Sequence, residues 1–168
     1  MDVSIRRITP DEGELLADLR LRALADAPDA FSSTHADASR QSSDDWTDLA
    51  CRRAAGNREA TFFASLGDTP IGIVGGYVHD GSPLVDLVSM WVAPEARRHG
   101  VARALIRTVV DWARDGGYDE LQLWVTEVNH GARALYEGCG FVATDDVDHL
   151  RAGSAITERR MTRRIGPR

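Results

Sequence analysis

Apolar and polar positions change period several times along the chain, and each change marks an element. Residues 3–8 alternate as a short half-buried strand does. Thr9-Pro10-Asp11-Glu12 supplies a cap, a proline for a first turn and two acids for its positive end. This predicts a helix to about Asp26, stopped at Ala27-Pro28-Asp29. Residues 31–43 are rich in Ser, Ala and Asp and read as a loop or broken helix; Ser43-Asp44-Asp45 opens a second helix to about Ala55. Strands over 60–66, 71–79 and 84–92 follow, with joints short enough for an antiparallel meander.

The clearest helix covers residues 100–115. Val101, Leu105, Val109 and Trp112 form one stripe, widened by Ala102, Ile106 and Ala113. An apolar strand over 121–126 comes next, then a short helix over 130–137 with Asn129 as its cap. Residues 139–144 and 155–161 are the last two strands, joined by an acidic connection over 145–151. The order β-α-α-β-β-β-α-β-α-β-β predicts a mixed α/β (α+β) layer architecture around one central sheet.

Composition narrows the reading. The 168 residues suit a single domain, 1–168, and 43% hydrophobic with 27% charged residues is the balance of a folded globular chain. No apolar run approaches the roughly 20 residues of a membrane helix, and the N-terminus lacks a signal-type apolar core. A cytoplasmic protein without a membrane partner is expected. Cys51 and Cys139 make neither a disulfide framework nor a metal set, so no metal is expected. The net charge of −6 disfavours a nucleic-acid partner. All 20 basic residues are Arg, whose forks match phosphate oxygens but do not serve as proton-transfer bases.

Chemistry concentrates in LVDLVSMWVAPEARRHG, residues 84–100: an apolar strand, a basic turn with Gly, then the long helix. That arrangement suits phosphate, because a helix start offers unpaired N–H groups and a partial positive charge. Gly100 permits close backbone approach, Ala102 keeps the site open, and Arg97 and Arg98 can add charge-assisted bonds. A Walker loop needs a Lys that the chain lacks, and a dinucleotide fingerprint needs more glycines, earlier in the chain.

Arg97-x-x-Gly100-x-Ala102 resembles the [QR]-x-x-G-x-[GA] pyrophosphate loop of the GCN5-related N-acetyltransferase (GNAT) superfamily. The resemblance extends over MWVAPEARRHGVARAL, residues 90–105, and again over LQLWVTEVNHGARALYEGCGF, residues 121–141. It implies a mostly antiparallel sheet of about seven strands flanked by helices, with a cleft where the fourth and fifth strands splay. It implies acetyl-CoA as acyl donor and direct transfer to a primary amine of a small molecule or peptide. Backbone groups of Met90, Trp91 and Val92 would pair with the pantetheine arm. Arg97, Arg98, His99, Gly100, Val101 and Ala102, with Arg103 nearby, would hold the pyrophosphate. Asn129, Ala132 and Arg133 would line the cofactor side of the short helix, and Tyr136 would protonate the leaving thiolate. Asn129 and Tyr136 are about two helical turns apart and can share a face.

Amine attack also needs a base. Asp86 lies four residues before Met90 and shares its side if alternation is unbroken; a bulge would alter this. Histone-type members of the family place a Glu at the same offset. Glu127, at the end of the fifth strand, is the other candidate. The acceptor walls would fall near residues 24–46 and 145–154, where Asp37, Asp44, Asp45, Asp146 and Asp148 would suit a cationic amine if they face the cleft. The AP-x-AF stretch from Ala27 to Phe31 resembles that of bacterial members. A CoA-binding regulatory or interaction module is the alternative to a catalyst, and the resemblance allows a homodimer.

Overall fold

The structure is a computed structural model and describes residues 2–166. Strands β1 (Val3–Arg7), β2 (Glu59–Leu66), β3 (Thr69–Tyr77), β4 (Val85–Val92), β5 (Glu120–Thr126), β6 (Val142–His149) and β7 (Thr157–Arg164) form one sheet in the order β1-β2-β3-β4-β5-β7-β6. Helices α1 (Gly13–Asp26), α2 (His35–Ser39), α3 (Ser43–Ala54), α4 (Val101–Asp115) and α5 (His130–Gly138) flank it. All neighbouring strands run antiparallel except β4 and β5. The mixed α/β class and mostly antiparallel seven-strand sheet expected from the sequence are both present.

Several boundaries move for identifiable reasons. The first helix starts at Gly13 rather than at Thr9-Pro10, because Thr9, Asp11 and Glu12 form a hydrogen-bonded turn first. Glu12 also accepts two bonds from the Arg6 guanidinium, which holds its carboxyl down at about 2. Ser42, not Ser43, caps α3 through a reciprocal box with Asp45. The acidic stretch read as a connection is mostly strand: β6 runs to His149, and β7 supplies Arg160 to pair with Asp146. Cross-strand arginines let an acidic segment join a sheet against its intrinsic preference.

Alternation assigns the two faces. Gly76 faces α4, where an added Cβ would stand 2.5 Å from the Trp112 ring; Gly72 faces it too, 3.1 Å from Leu105. Small residues on β3 therefore let the amphipathic α4 close onto the sheet, burying Leu105, Ile106 and Val109. Tyr77, one residue on from Gly76, belongs to the opposite face, where α1 and α3 pack against each other and against the sheet. Arg103 of α4 donates to the Gly138 carbonyl at 2.9 Å, fixing α5 on the α4 side.

Candidate active site

The sheet opens where β4 and β5 part. Their ladder holds only Val85 with Leu121 and Asp86 with Gln122. From Leu87 onward the β5-facing edge of β4 has no ladder partner among the described residues. The departure coincides with a bulge. Gly75 pairs with Val88 and Ile73 with Trp91, so Val74 stands opposite both Ser89 and Met90. Ser89 takes a positive φ of 56°, a conformation that costs a non-glycine residue about 1 kcal/mol or more. The bulge flips the alternation beyond it. Asp86 and Trp91 therefore lie on the α1 face, and the unbroken parity that would have put Asp86 beside Met90 does not hold.

A cavity of about 220 Å³ occupies the gap. Tyr136, Asn129 and Ala132 of the α5 segment line one side; Asp86, Trp124, Glu158 and Phe31 line the other, with Val88, Ser89 and Met90 between. The passage thus joins the two faces of the sheet.

Tyr136 is buried and packs edge-on against Phe141 at 5.9 Å, and its hydroxyl makes no hydrogen bond among the described residues. It is not a core tyrosine anchored by its hydroxyl. Burial pushes the phenol above its usual range, so it stays protonated at working pH. Asn129 caps α5, its Oδ1 accepting from the Ala132 N–H at 3.1 Å. Arg133 is paired with Glu137 one turn on.

The carboxylate of Asp86 is 9% exposed. Its Oδ1 accepts from Gln122 at 2.8 Å, and Gln122 is held in turn by Arg160. Oδ2 has no hydrogen bond; His79 Nε2 stands 3.3 Å away but out of line. Burial raises the carboxyl above its ordinary value, partly offset by the Gln122 bond and by the charges of His79 and Arg160. Glu127 differs in every respect. It lies on the other face, accepts from Thr157 at 2.6 Å and from Arg159 at 2.7 and 3.1 Å, and does not line the cavity. Those bonds hold its carboxyl below the usual range.

The loop before α4 turns through Pro94–Ala96, then places Arg98 and Gly100 at positive φ, 65° and 80°. Arg98, His99 and Gly100 are exposed, Gly100 has open space where a Cβ would stand, and α4 has no side-chain cap. The N–H groups of Val101, Ala102 and Arg103 are thus the helix's unpaired donors. Arg97 is used differently. Its Nε donates to the Val92 carbonyl at 2.9 Å and its Nη2 pairs with Asp26, which also accepts from Trp91 Nε1 at 2.9 Å. Those partners hold the Asp26 carboxyl below its usual range. Arg22 stacks over the Trp91 ring at 5.2 Å. Arg97 and Trp91 therefore fasten the loop to the end of α1, and Arg103 reaches α5.

Sequence reasoning did not single out four residues that shape the site. Arg151, between β6 and β7, donates to the Pro28 and Phe31 carbonyls at 2.8 Å each and holds Phe31 over the cavity. Arg20 stacks on Phe31 at 5.1 Å; burial lowers its guanidinium to about 10. His79 and Glu158 reach the site through strand register. The signals were separated by up to 123 positions, so no local pattern joined them. Of the acids proposed for the acceptor side, Asp146 is paired with Arg160, Asp37 with Arg40, and Asp45 is spent in the α3 cap.

An open, mostly antiparallel sheet, splayed at its one parallel joint beside an uncapped glycine-led helix, defines an acyltransferase-type α/β fold. Residues 21–141 match the model of the "Acetyltransferase (GNAT) family", and the chain belongs to that family. It is 34% identical over 158 residues to a mycothiol acetyltransferase of Thermobispora bispora, a match covering 89% of this chain and 50% of that protein. The chain spans no more than half the length of the first curated relatives it matches. Among solved structures, a GNAT-family acetyltransferase from Streptococcus pneumoniae superposes with a TM-score of 0.83 at 24% identity, covering 98% of this chain and 100% of that one. The PaiA N-acetyltransferase of Thermoplasma acidophilum, in complex with coenzyme A, superposes at 0.76 with 16% identity, covering 98% and 99%. Both show the same fold. No helix among the described residues is long and apolar enough to cross a membrane.

Proposed function

We propose that residues 1–168 act as one cytoplasmic N-acetyltransferase domain that passes the acetyl group of acetyl-CoA to a primary amine of a small molecule or peptide, by direct attack in a ternary complex. The observation that carries this reading is the passage through the sheet, with a protonated phenol on one side and a buried, partly unpartnered carboxylate on the other.

The residues present fit the donor. The uncapped start of α4 and the open space at Gly100 suit its pyrophosphate, and the unpaired edge of β4 suits its extended arm. When bound, acetyl-CoA supplies an activated acyl thioester. The chain's own groups do the rest. Backbone N–H groups near the Ser89–Met90 bulge bind developing oxyanion charge. The Tyr136 hydroxyl gives its proton to the departing sulfur. Asp86 takes the proton of the attacking amine, and His79, two-thirds exposed, gives that proton a way to solvent. Glu127 is left out, because an acid paired with Arg159 is a poor base.

The test is acetyl-CoA turnover, followed by thiol release over an amine panel, with calorimetry of CoA on the same sample. Micromolar CoA binding with turnover of at least one amine is the expected result. Absence of CoA binding overturns the reading. Binding without turnover of any amine would favour a CoA-holding module.

A further inference from the structure

Among the described residues only two ionised side chains line the cavity, Asp86 and Glu158, both carboxylates, and no arginine or histidine does. Two neighbouring acids are neutralised: Glu127, just beyond β5, by Arg159 and Asp146 of β6 by Arg160. The Glu158 carboxylate makes no hydrogen bond or ion pair among the described residues. Its partner across the β6–β7 ladder is Asp148, a like charge, whose carboxylate is turned to the His149 N–H at 2.7 Å. Like charges directly opposite destabilise a sheet. Half-burial and Asp148 together raise the Glu158 carboxyl above its usual value. At the far end, Asp86 is nine-tenths buried with one oxygen lacking a hydrogen bond.

Register sets the spacing. Asp86 is level with Gln122, and Glu158 is level with Thr126, four residues further along β5. At about 3.3 Å per residue the two carboxylates' backbones are offset by roughly 13 Å along β5, and they flank it on opposite sides, about 10 Å apart across the sheet. Trp124 lies between on the same face, and Phe31 covers the cavity. Aromatic faces accept methylene chains and ammonium groups alike.

Taking the cleft as the amine side of the acetyltransferase reading, we propose that its acceptor is a flexible aliphatic amine with a second cationic group: the attacking amine lies toward Asp86 and the distal ammonium is bound by Glu158 and Asp148. The bound ammonium neutralises a carboxylate pair that no group among the described residues neutralises. An acceptor with a distal carboxylate is excluded by the same two acids.

The experiment compares octamethylenediamine with octylamine, which differ in the distal ammonium alone. Binding to the CoA-saturated full chain is read by calorimetry, and acetyl transfer by thiol release. The diamine should bind on the order of 10- to 100-fold more tightly, the range of a charge-assisted hydrogen bond. Glu158→Gln should remove most of that advantage and leave octylamine binding unchanged; Asp148→Asn should do the same to a smaller extent. Removing one of two facing like charges leaves the fold intact, which circular dichroism checks. Equal binding of the two amines, or equal weakening of both by Glu158→Gln, overturns the proposal. Transfer to both amines without a diamine preference sinks the subsite alone. A Glu158-dependent preference without any transfer keeps the subsite and removes the transferase reading.

Discussion

Asp86 and Glu127 stand near the same splayed joint, one on β4 and one just beyond β5, yet the fold gives them opposite chemistry. Asp86 is enclosed, with one amide donor and, among the described residues, no paired cation in contact apart from the exposed His79. Glu127 is clamped by a guanidinium and a hydroxyl on the other face. Burial without full compensation raises the first carboxyl; charge-assisted bonds lower the second. Proximity to a cleft does not make a base. The balance of desolvation and compensation does, and that balance is set by which face a strand presents.

The largest effect should come from the Asp86 side. Asp86→Asn should lower kcat by about 10²-fold or more and erase the acidic limb of the pH–rate profile. It should also raise the melting temperature at neutral pH. A carboxyl raised in the folded state contributes stability below its unfolded pKa and loses it as pH rises through the folded value, so the amide removes that penalty. A retained acidic limb would return the base role to Glu127 or to solvent. Next, Tyr136→Phe should lower kcat by about 10²-fold while leaving CoA affinity within about twofold, because the phenol makes no ground-state hydrogen bond. Equal loss of CoA affinity in calorimetry would make the residue a packing element.

Smaller changes should follow from the residues that hold the walls. Arg151→Ala frees the carbonyls of Pro28 and Phe31 and should raise KM for the amine by about tenfold with kcat nearly kept. A fall in kcat at unchanged KM would contradict that assignment. Glu127→Gln should leave kcat within about twofold. Its folded carboxyl is depressed, so the stability it contributes is present above its unfolded pKa and lost as pH falls through the folded value. The variant's stability should therefore depend less on pH in the acid range, as acid titration by circular dichroism would show. A large loss of turnover would break the contrast between the two carboxylates.

The sequence by itself determined the elements that local pattern can encode. The 100–115 stripe became α4, the Asn129 cap became the start of α5, and the glycine-led basic turn became an uncapped helix start. Each depends on residues within a few positions of one another, where propensity, capping and helix-end electrostatics act. Two blocks of that kind also carried the family. Tertiary structure alone decided the rest. The bulge at Ser89 and Met90 chose the face of Trp91, and Arg97 turned to Asp26 through a contact spanning 71 positions. Arg160 drew an acidic segment into β6, and Arg159 neutralised Glu127 while Glu158, one residue earlier, kept its charge uncompensated. A charge's function depends on its neighbours in space, and in a sheet those neighbours come from register, which no short window of sequence contains.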